Sequence, residues 1–171
     1  VIALLAMTVV AALAAAPDKA PETAPDPSRH TVGGVSFEVP AGAVVEALSG
    51  LPDSVSGVAV SVDLEVLMIT VYEGKGAPSE EQARSVHTEE VERQAAEADK
   101  KFETGSFRLA VLGRSRSARE VRYRRAGIRE VARVVAIGLD GRTIAAAWTL
   151  RAAEGAGASP AIVQSFAISK R

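Results

Sequence analysis

Residues 128–151 read IREVARVVAIGLDGRTIAAAWTLR. Two apolar-rich runs, Ile128–Leu139 and Thr143–Arg151, flank Asp140-Gly141. Both residues of that dipeptide tolerate the positive φ that a two-residue hairpin turn demands. In the second run Ile144, Ala146, Trp148 and Leu150 recur every second position, so they share one side of a strand. The stretch therefore predicts a β-hairpin, and with it an antiparallel sheet.

Working upstream, Phe107–Leu112 is a strand, and Arg119–Arg125 alternates around Val121 and Tyr123. With the hairpin these make a four-strand meander. Before it, Ser79 opens a helix with Gln82 as the reciprocal partner of a capping box. Glu80 and Glu81 sit in its first turn, where the helix dipole favours acids. Ala83, Val86, Val91, Ala95, Ala98 and Phe102 form one apolar stripe, and the spacing predicts a helix to about Lys101 that lies on the sheet.

Ahead of the helix, Gly74-Lys75-Gly76-Ala77-Pro78 is a turn. From Val58 the alternation is strict: Val58, Val60, Val62, Leu64 and Val66 point one way, and Ser61, Asp63 and Glu65 the other. Leu67–Val71 is apolar on both faces apart from Thr70. This predicts one long strand or two in succession. Val35–Val39 alternates as a short half-buried strand ended by Pro40, and residues 41–56 read mostly as loop.

Downstream, Gly155–Ser159 is a loop. Ser159-Pro160 begins a short helix with proline at the first helical position. Phe166–Ser169 closes as a strand. The fold class is α+β: an antiparallel β-sheet with one long and one short helix packed against it.

The chain's other end carries its own signal. Residues 1–16, VIALLAMTVVAALAAA, are uncharged and all apolar except Thr8. That is shorter than the roughly 20 residues of a membrane-spanning helix but normal for a signal-peptide core. Ala12-Leu13-Ala14 offers a small-x-small site, and Pro17 disfavours the later one, so cleavage is expected after Ala14; retained, the segment is a membrane anchor. Residues 17–29 are a Pro-rich acidic linker. Residues 30–171 are one domain. The domain is therefore expected outside the cytoplasm: periplasmic, secreted, or anchored by an uncleaved signal. The excess of Arg over Lys after residue 105 and the high Ala content point to a bacterial source.

The chain has no Cys. This removes disulfides, thiolate catalysis, Cys-ligated metals and a lipid-modified cysteine together. A formal net charge of −1 does not mark a nucleic-acid binder.

The order of elements resembles the PsbP/Mog-like superfamily, which includes the DcrB-like bacterial envelope proteins. The residues that carry the resemblance are Ser36-Phe37-Glu38-Val39-Pro40, Ile69-Thr70-Val71-Tyr72 and Ile162-Val163-Gln164-Ser165-Phe166. Two features depart from the pattern: Ala41-Gly42-Ala43-Val44 stands where members often carry a Trp, and the lipoprotein cysteine of many members is missing. The resemblance implies a sandwich fold and a mostly non-enzymatic role as an assembly or binding subunit.

No motif names a reaction. His87 has Glu90 one helical turn on, but a metal site needs three or four ligands and His30 is the other histidine. A solvated helix face is the expectation for His87, and an exposed position for His30. No Gly-x-Ser-x-Gly elbow is present. Asp63 and Glu65 pair on a strand face that alternation makes solvated, where little would shift their titration. Gly74-Lys75-Gly76 lacks phosphate-loop spacing. Neither a catalytic residue, a metal nor a cofactor is expected.

The one feature with the character of a binding surface is a run of nine arginines from Arg108 to Arg133, opposed by Glu120 and Glu130. Arg114 and Arg116 share a face of one segment, Arg122 and Arg124 a face of the next. Paired segments would put a basic stripe across the sheet, fit for an acidic protein or an anionic envelope surface. The competing reading is an ordinary solvated strand face, or pairing with the acidic helix. Aromatics are not interleaved beyond Tyr123, which argues against single-stranded nucleic acid. The sequence thus reads as an exported binding or assembly module, not an enzyme. The alternatives are a hydrolase-type enzyme of the cell envelope or a structural subunit of an envelope complex.

Overall fold

The computed structural model describes residues 27–139, 141–151 and 157–168. The export segment and most of the linker (residues 1–26), Asp140, residues 152–156 and Ser169 onward lie outside the described residues. The elements are β1 (Ser28–Val32), β2 (Val35–Val39), β3 (Val44–Ala47), β4 (Val55–Val62), β5 (Glu65–Glu73) and α1 (Glu80–Ala98). They continue with β6 (Glu103–Val111), β7 (Arg114–Arg125), β8 (Ile128–Leu139), β9 (Arg142–Arg151), α2 (Ser159–Gln164) and β10 (Ala167–Ile168).

Seven strands join in one antiparallel sheet, ordered β3-β4-β5-β9-β8-β7-β6, and three in a second, ordered β1-β2-β10. The expected hairpin is present: Leu139 pairs with Arg142, and Gly141 takes φ +66°. Two more hairpins turn through Leu112-Gly113 (φ +51° and +71°) and Ala126-Gly127 (φ +51° and +84°). Positive φ at both central residues gives a turn whose twist matches that of the strands it joins.

Several boundaries differ from the sequence reading, each for a local reason. The segments holding Arg114-Arg116 and Arg122-Arg124 are one strand, β7, because the Leu112-Gly113 turn restarts pairing at Arg114. The polar run Arg114–Ser117 gives no alternation by which to see it. The long run from Val58 divides at Asp63-Leu64, with Asp63 at φ +50° and Val62 paired to Glu65. The core then takes Leu67, Ile69 and Val71 instead of Leu64 and Val66, and Leu64 is 49% exposed. Residues 41–56 hold a short edge strand, β3, as well as loop. β1 begins at Ser28, two residues ahead of His30. Helix α1 has both arms of its capping box, but it ends at Ala98, where Asp99 turns extended.

The main core lies between the large sheet and the small one. Val60, Leu67, Ile69, Val71, Val135, Ile137, Ile144 and Trp148 from the large sheet meet Val35, Phe37 and Val39 of β2, Ile162 and Val163 of α2, and Phe166. Helix α1 covers the other face, against β7, β8 and β9. There Ala95 packs with Val121, Tyr123 and Ala132 in a second, smaller cluster. Ala132, Ala136 and Ala145 are fully buried, and such small residues let a helix backbone come close to the sheet. The architecture is the expected α+β arrangement, with the long helix on one face and the short helix with the small sheet on the other.

Candidate functional site

The four arginines singled out by the sequence all lie on β7 and, by strand alternation, project from one side of it. At about 3.3 Å per residue, Arg114 and Arg124 stand roughly 33 Å apart. The stripe thus runs along a strand and does not cross the sheet. Two of the four are neutralised within the fold. Arg116 meets Glu80 of α1 (Nη1 to Oε2, 3.1 Å), and its side chain is 17% exposed with Nε buried and unpartnered. Arg122 meets the buried Glu120 (2.5 Å), which also accepts from Arg133 Nε at 2.8 Å. Arg114 and Arg124 are exposed, and neither guanidinium has a partner among the described residues.

The sequence reading missed a fifth arginine. Across the β7–β8 ladder Arg124 stands directly opposite Arg129, itself exposed and without a partner among the described residues. Ala126-Gly127 is the signal that could have found it, because a two-residue turn there sets 124 against 129. The neighbouring pair is Arg125 and Ile128. Arg125 donates to Glu130 (Nε to Oε2, 3.2 Å) and lies over the Tyr123 ring, 5.7 Å from its centroid. Asp99, just past α1, accepts from the Arg124 backbone N–H at 3.0 Å and anchors the hairpin to the helix.

At the other end of β7, Leu112, Arg114, Arg116, Gly138, Leu139 and Ile168 line an open hollow of about 570 Å³. Glu80 ties two of its lining residues together, accepting from Gly138 N–H at 3.0 Å and from Arg116 Nη1 at 3.1 Å.

The remaining polar candidates have structural positions. His87 is not on a solvated face: it is half-buried, its Nε2 is 3.0 Å from the Tyr72 hydroxyl, and the two rings meet edge to face. Desolvation holds its pKa below the usual histidine value, with Glu90 opposing. The same burial raises the Tyr72 phenol. His30 is half-buried as well, stacked on Phe37. Asp63 and Glu65 do not form a solvated pair. Asp63 is in the turn, and Glu65 caps the start of α2, accepting from Ala158 N, Ser159 N and Ser159 Oγ at 3.0, 3.0 and 2.7 Å. Among the described residues no three His, Asp or Glu side chains group as a metal site. No helix among them is long and apolar enough to cross a membrane.

No protein-family model matches the chain, and no curated protein matches it. Solved structures do. A protein of Bacteroides thetaiotaomicron VPI-5482 is similar at a TM-score of 0.51 and 9% identity, over 81% of this chain and 46% of that one. The chain therefore spans about half the length of that structure. LpqN of Mycobacterium tuberculosis, described as involved in cell envelope biogenesis, aligns over 85% of this chain and 90% of its own, at 12% identity and a TM-score of 0.40. At such identities the likeness speaks for the fold alone, and at 0.40 it carries no argument.

Proposed function

We propose that the chain is an exported bacterial envelope protein of PsbP/Mog-like, DcrB-like architecture. It works as a non-catalytic binding module that contacts an anionic partner or surface through arginines of β7. Export rests on the apolar segment 1–16 and the Pro-rich acidic residues after it. The membership rests on the motifs quoted above and on the order of elements.

One observation carries the binding role: Arg124 and Arg129 face each other across the ladder, and neither guanidinium has a carboxylate partner among the described residues. Directly opposed like charges destabilise an antiparallel pair. Elsewhere on the same strands Arg116, Arg122, Arg125 and Arg133 each meet an acid, while Arg114 and Arg119 meet none among the described residues but stand opposite no second cation. A bound anion would relieve the one uncompensated pair. The contact surface is therefore Arg124 with Arg129, and Arg114 at the far end of the strand. Arg116 and Arg122 support the fold, because Glu80 and Glu120 depend on them. The tie of His87 to Tyr72, with no serine in the contact, favours a non-catalytic role.

The test is copurification from the envelope fraction, comparing the native protein with Arg114, Arg124 and Arg129 all changed to Glu. Loss of bound partners is expected. Unchanged partners from a folded variant would remove the reading.

A further inference from the structure

We infer that the tip of the β7–β8 hairpin is a contact for an anionic lipid surface, entered tip-first. This rests on the binding role proposed above and names its partner.

Residues 124–129 are all exposed. Among the described residues, β6 follows β7 only as far as Arg122, and β9 follows β8 only as far as Glu130. Beyond those pairs the hairpin continues as a two-stranded ribbon closed by Ala126-Gly127. Its cations occupy both faces: Arg124 and Arg129 on one, Arg125 on the other beside Ile128. Ile128 is 42% exposed, one of the few large apolar side chains left in solvent. Among the described residues two carboxylates lie beside these three guanidinium groups: Glu130, which Arg125 holds, and Asp99, which accepts from the Arg124 backbone N–H and from neither free guanidinium.

That distribution decides between partners. A flat protein surface docks one face of a ribbon, and would leave unused either the free Arg124 and Arg129 or the exposed Ile128 on the opposite face. A headgroup layer surrounds a tip that enters it, so Arg124 and Arg129 meet phosphate oxygens, which guanidinium groups bind in pairs, while Ile128 on the other face meets the acyl boundary. The hollow lined by Arg114 and Arg116 is at the opposite end of β7, away from the tip. The reach also fits. From Arg124 to the turn is two residues, about 7 Å. An interfacial segment sinks roughly 5–10 Å toward the acyl boundary, which places Ile128 and Ala126 there and Arg124 and Arg129 at phosphate level.

The experiment uses the full chain, and flotation with vesicles of phosphatidylcholine alone or mixed with phosphatidylglycerol. The readout is the ratio of the two partition coefficients, which cancels any affinity residues 1–16 have for neutral lipid. Each arginine near an anionic surface contributes about fivefold, so R124Q/R129Q should lower the ratio about 25-fold. R124K/R129K should retain most of it. I128S should weaken binding to mixed vesicles while leaving its salt dependence intact. K75Q removes one charge at the far end of the sheet and should change nothing. Trp148, the single tryptophan and 2% exposed, reports by its emission that each variant is folded. A ratio that R124Q/R129Q leaves unaltered overturns the inference. So does a native protein with no preference for mixed vesicles; if R124E/R129E still strips partners from the envelope fraction, the partner is an acidic protein and the binding role survives. If neither assay responds, both readings fall.

Discussion

Glu65 joins β5 to α2, and removing its carboxylate tests whether that one side chain holds the short helix in place. It accepts three hydrogen bonds, from the amides of Ala158 and Ser159 and from the Ser159 hydroxyl. The Ala158 amide is near the surface, so water can replace its partner. Ser159 is 1% exposed, so its amide and hydroxyl cannot be rehydrated without opening the site. A buried donor left without an acceptor costs about 1–3 kcal/mol. Two such donors put Glu65→Ala at about 3 kcal/mol. The ceiling is the cost of undocking α2 and exposing Ile162 and Val163, about 1.5–3 kcal/mol each. Glu65→Gln keeps one oxygen and turns an N–H toward a donor, for about 1–2 kcal/mol. Ser159→Ala removes hydroxyl and bond together, for about 1 kcal/mol. Urea unfolding at unchanged m-value gives these numbers, and hydrogen exchange at the amides of α2 should accelerate in the same order. Gly157 sharpens the test. A Cβ there would clash with the Glu65 carboxylate, at φ +68°. Gly157→Ala should therefore cost less in the Glu65→Ala background than in the native protein. If Glu65→Ala lies within about 0.5 kcal/mol of native, as surface substitutions do, Glu65 does not hold the helix and the reasoning is wrong.

Other perturbations probe the α1 face and the sheet edge. The folded-state pKa of His87 lies below its unfolded value, so the unfolded chain takes up the proton first. Its contribution to stability is complete above about pH 6.5 and is lost as the pH falls below that. Unfolding free energy measured from pH 7 to pH 5 should decline, and His87→Gln should flatten the decline; an NMR titration midpoint of 6.5 or higher for His87 would contradict this. Glu80→Ala leaves Arg116 and the Gly138 amide without their acceptor and should cost about 2 kcal/mol. A double-mutant cycle with Arg116→Met should show coupling of about 1 kcal/mol, and additivity would deny the contact. At Gly57 an added Cβ would meet Leu48 Cδ1 at 2.8 Å and Leu51 Cδ1 at 3.1 Å. Gly57→Ala should then lower stability by about 1–3 kcal/mol through overpacking, read by thermal melting.

The strands around Asp140-Gly141, the capped start of α1 and the short helix at Ser159-Pro160 were all legible before the fold was known. Each is written in local chemistry: a period of two, a reciprocal cap, a proline where no N–H is needed. Less legible were the elements without such marks. Arg114–Ser117 is polar throughout, so nothing in it announces a strand; only the turn at Leu112-Gly113 makes it one. Leu64 looked like a core position because alternation ran unbroken through it, but Asp63 takes positive φ and the phase changes there. Glu65 looked solvated for the same reason, and is instead turned onto α2 some 93 residues away in sequence.

For the arginines the division is sharper. Composition and spacing already said that cations concentrate between residues 108 and 133, and that few acids stand among them. Which of those cations remain available is a matter of distance between residues remote in sequence. Glu80 reaches Arg116 across 36 residues and removes it from the surface. Glu120, two positions away, pairs with Arg122, which itself stays exposed. Arg129, which no spacing rule marked, is set opposite Arg124 by a two-residue turn. Local sequence determines which residues can form a strand, a turn or a cap, because those choices rest on near-neighbour sterics and hydrogen bonds. Which charges remain unneutralised depends on which elements pack together, and that follows from burial of the whole apolar set.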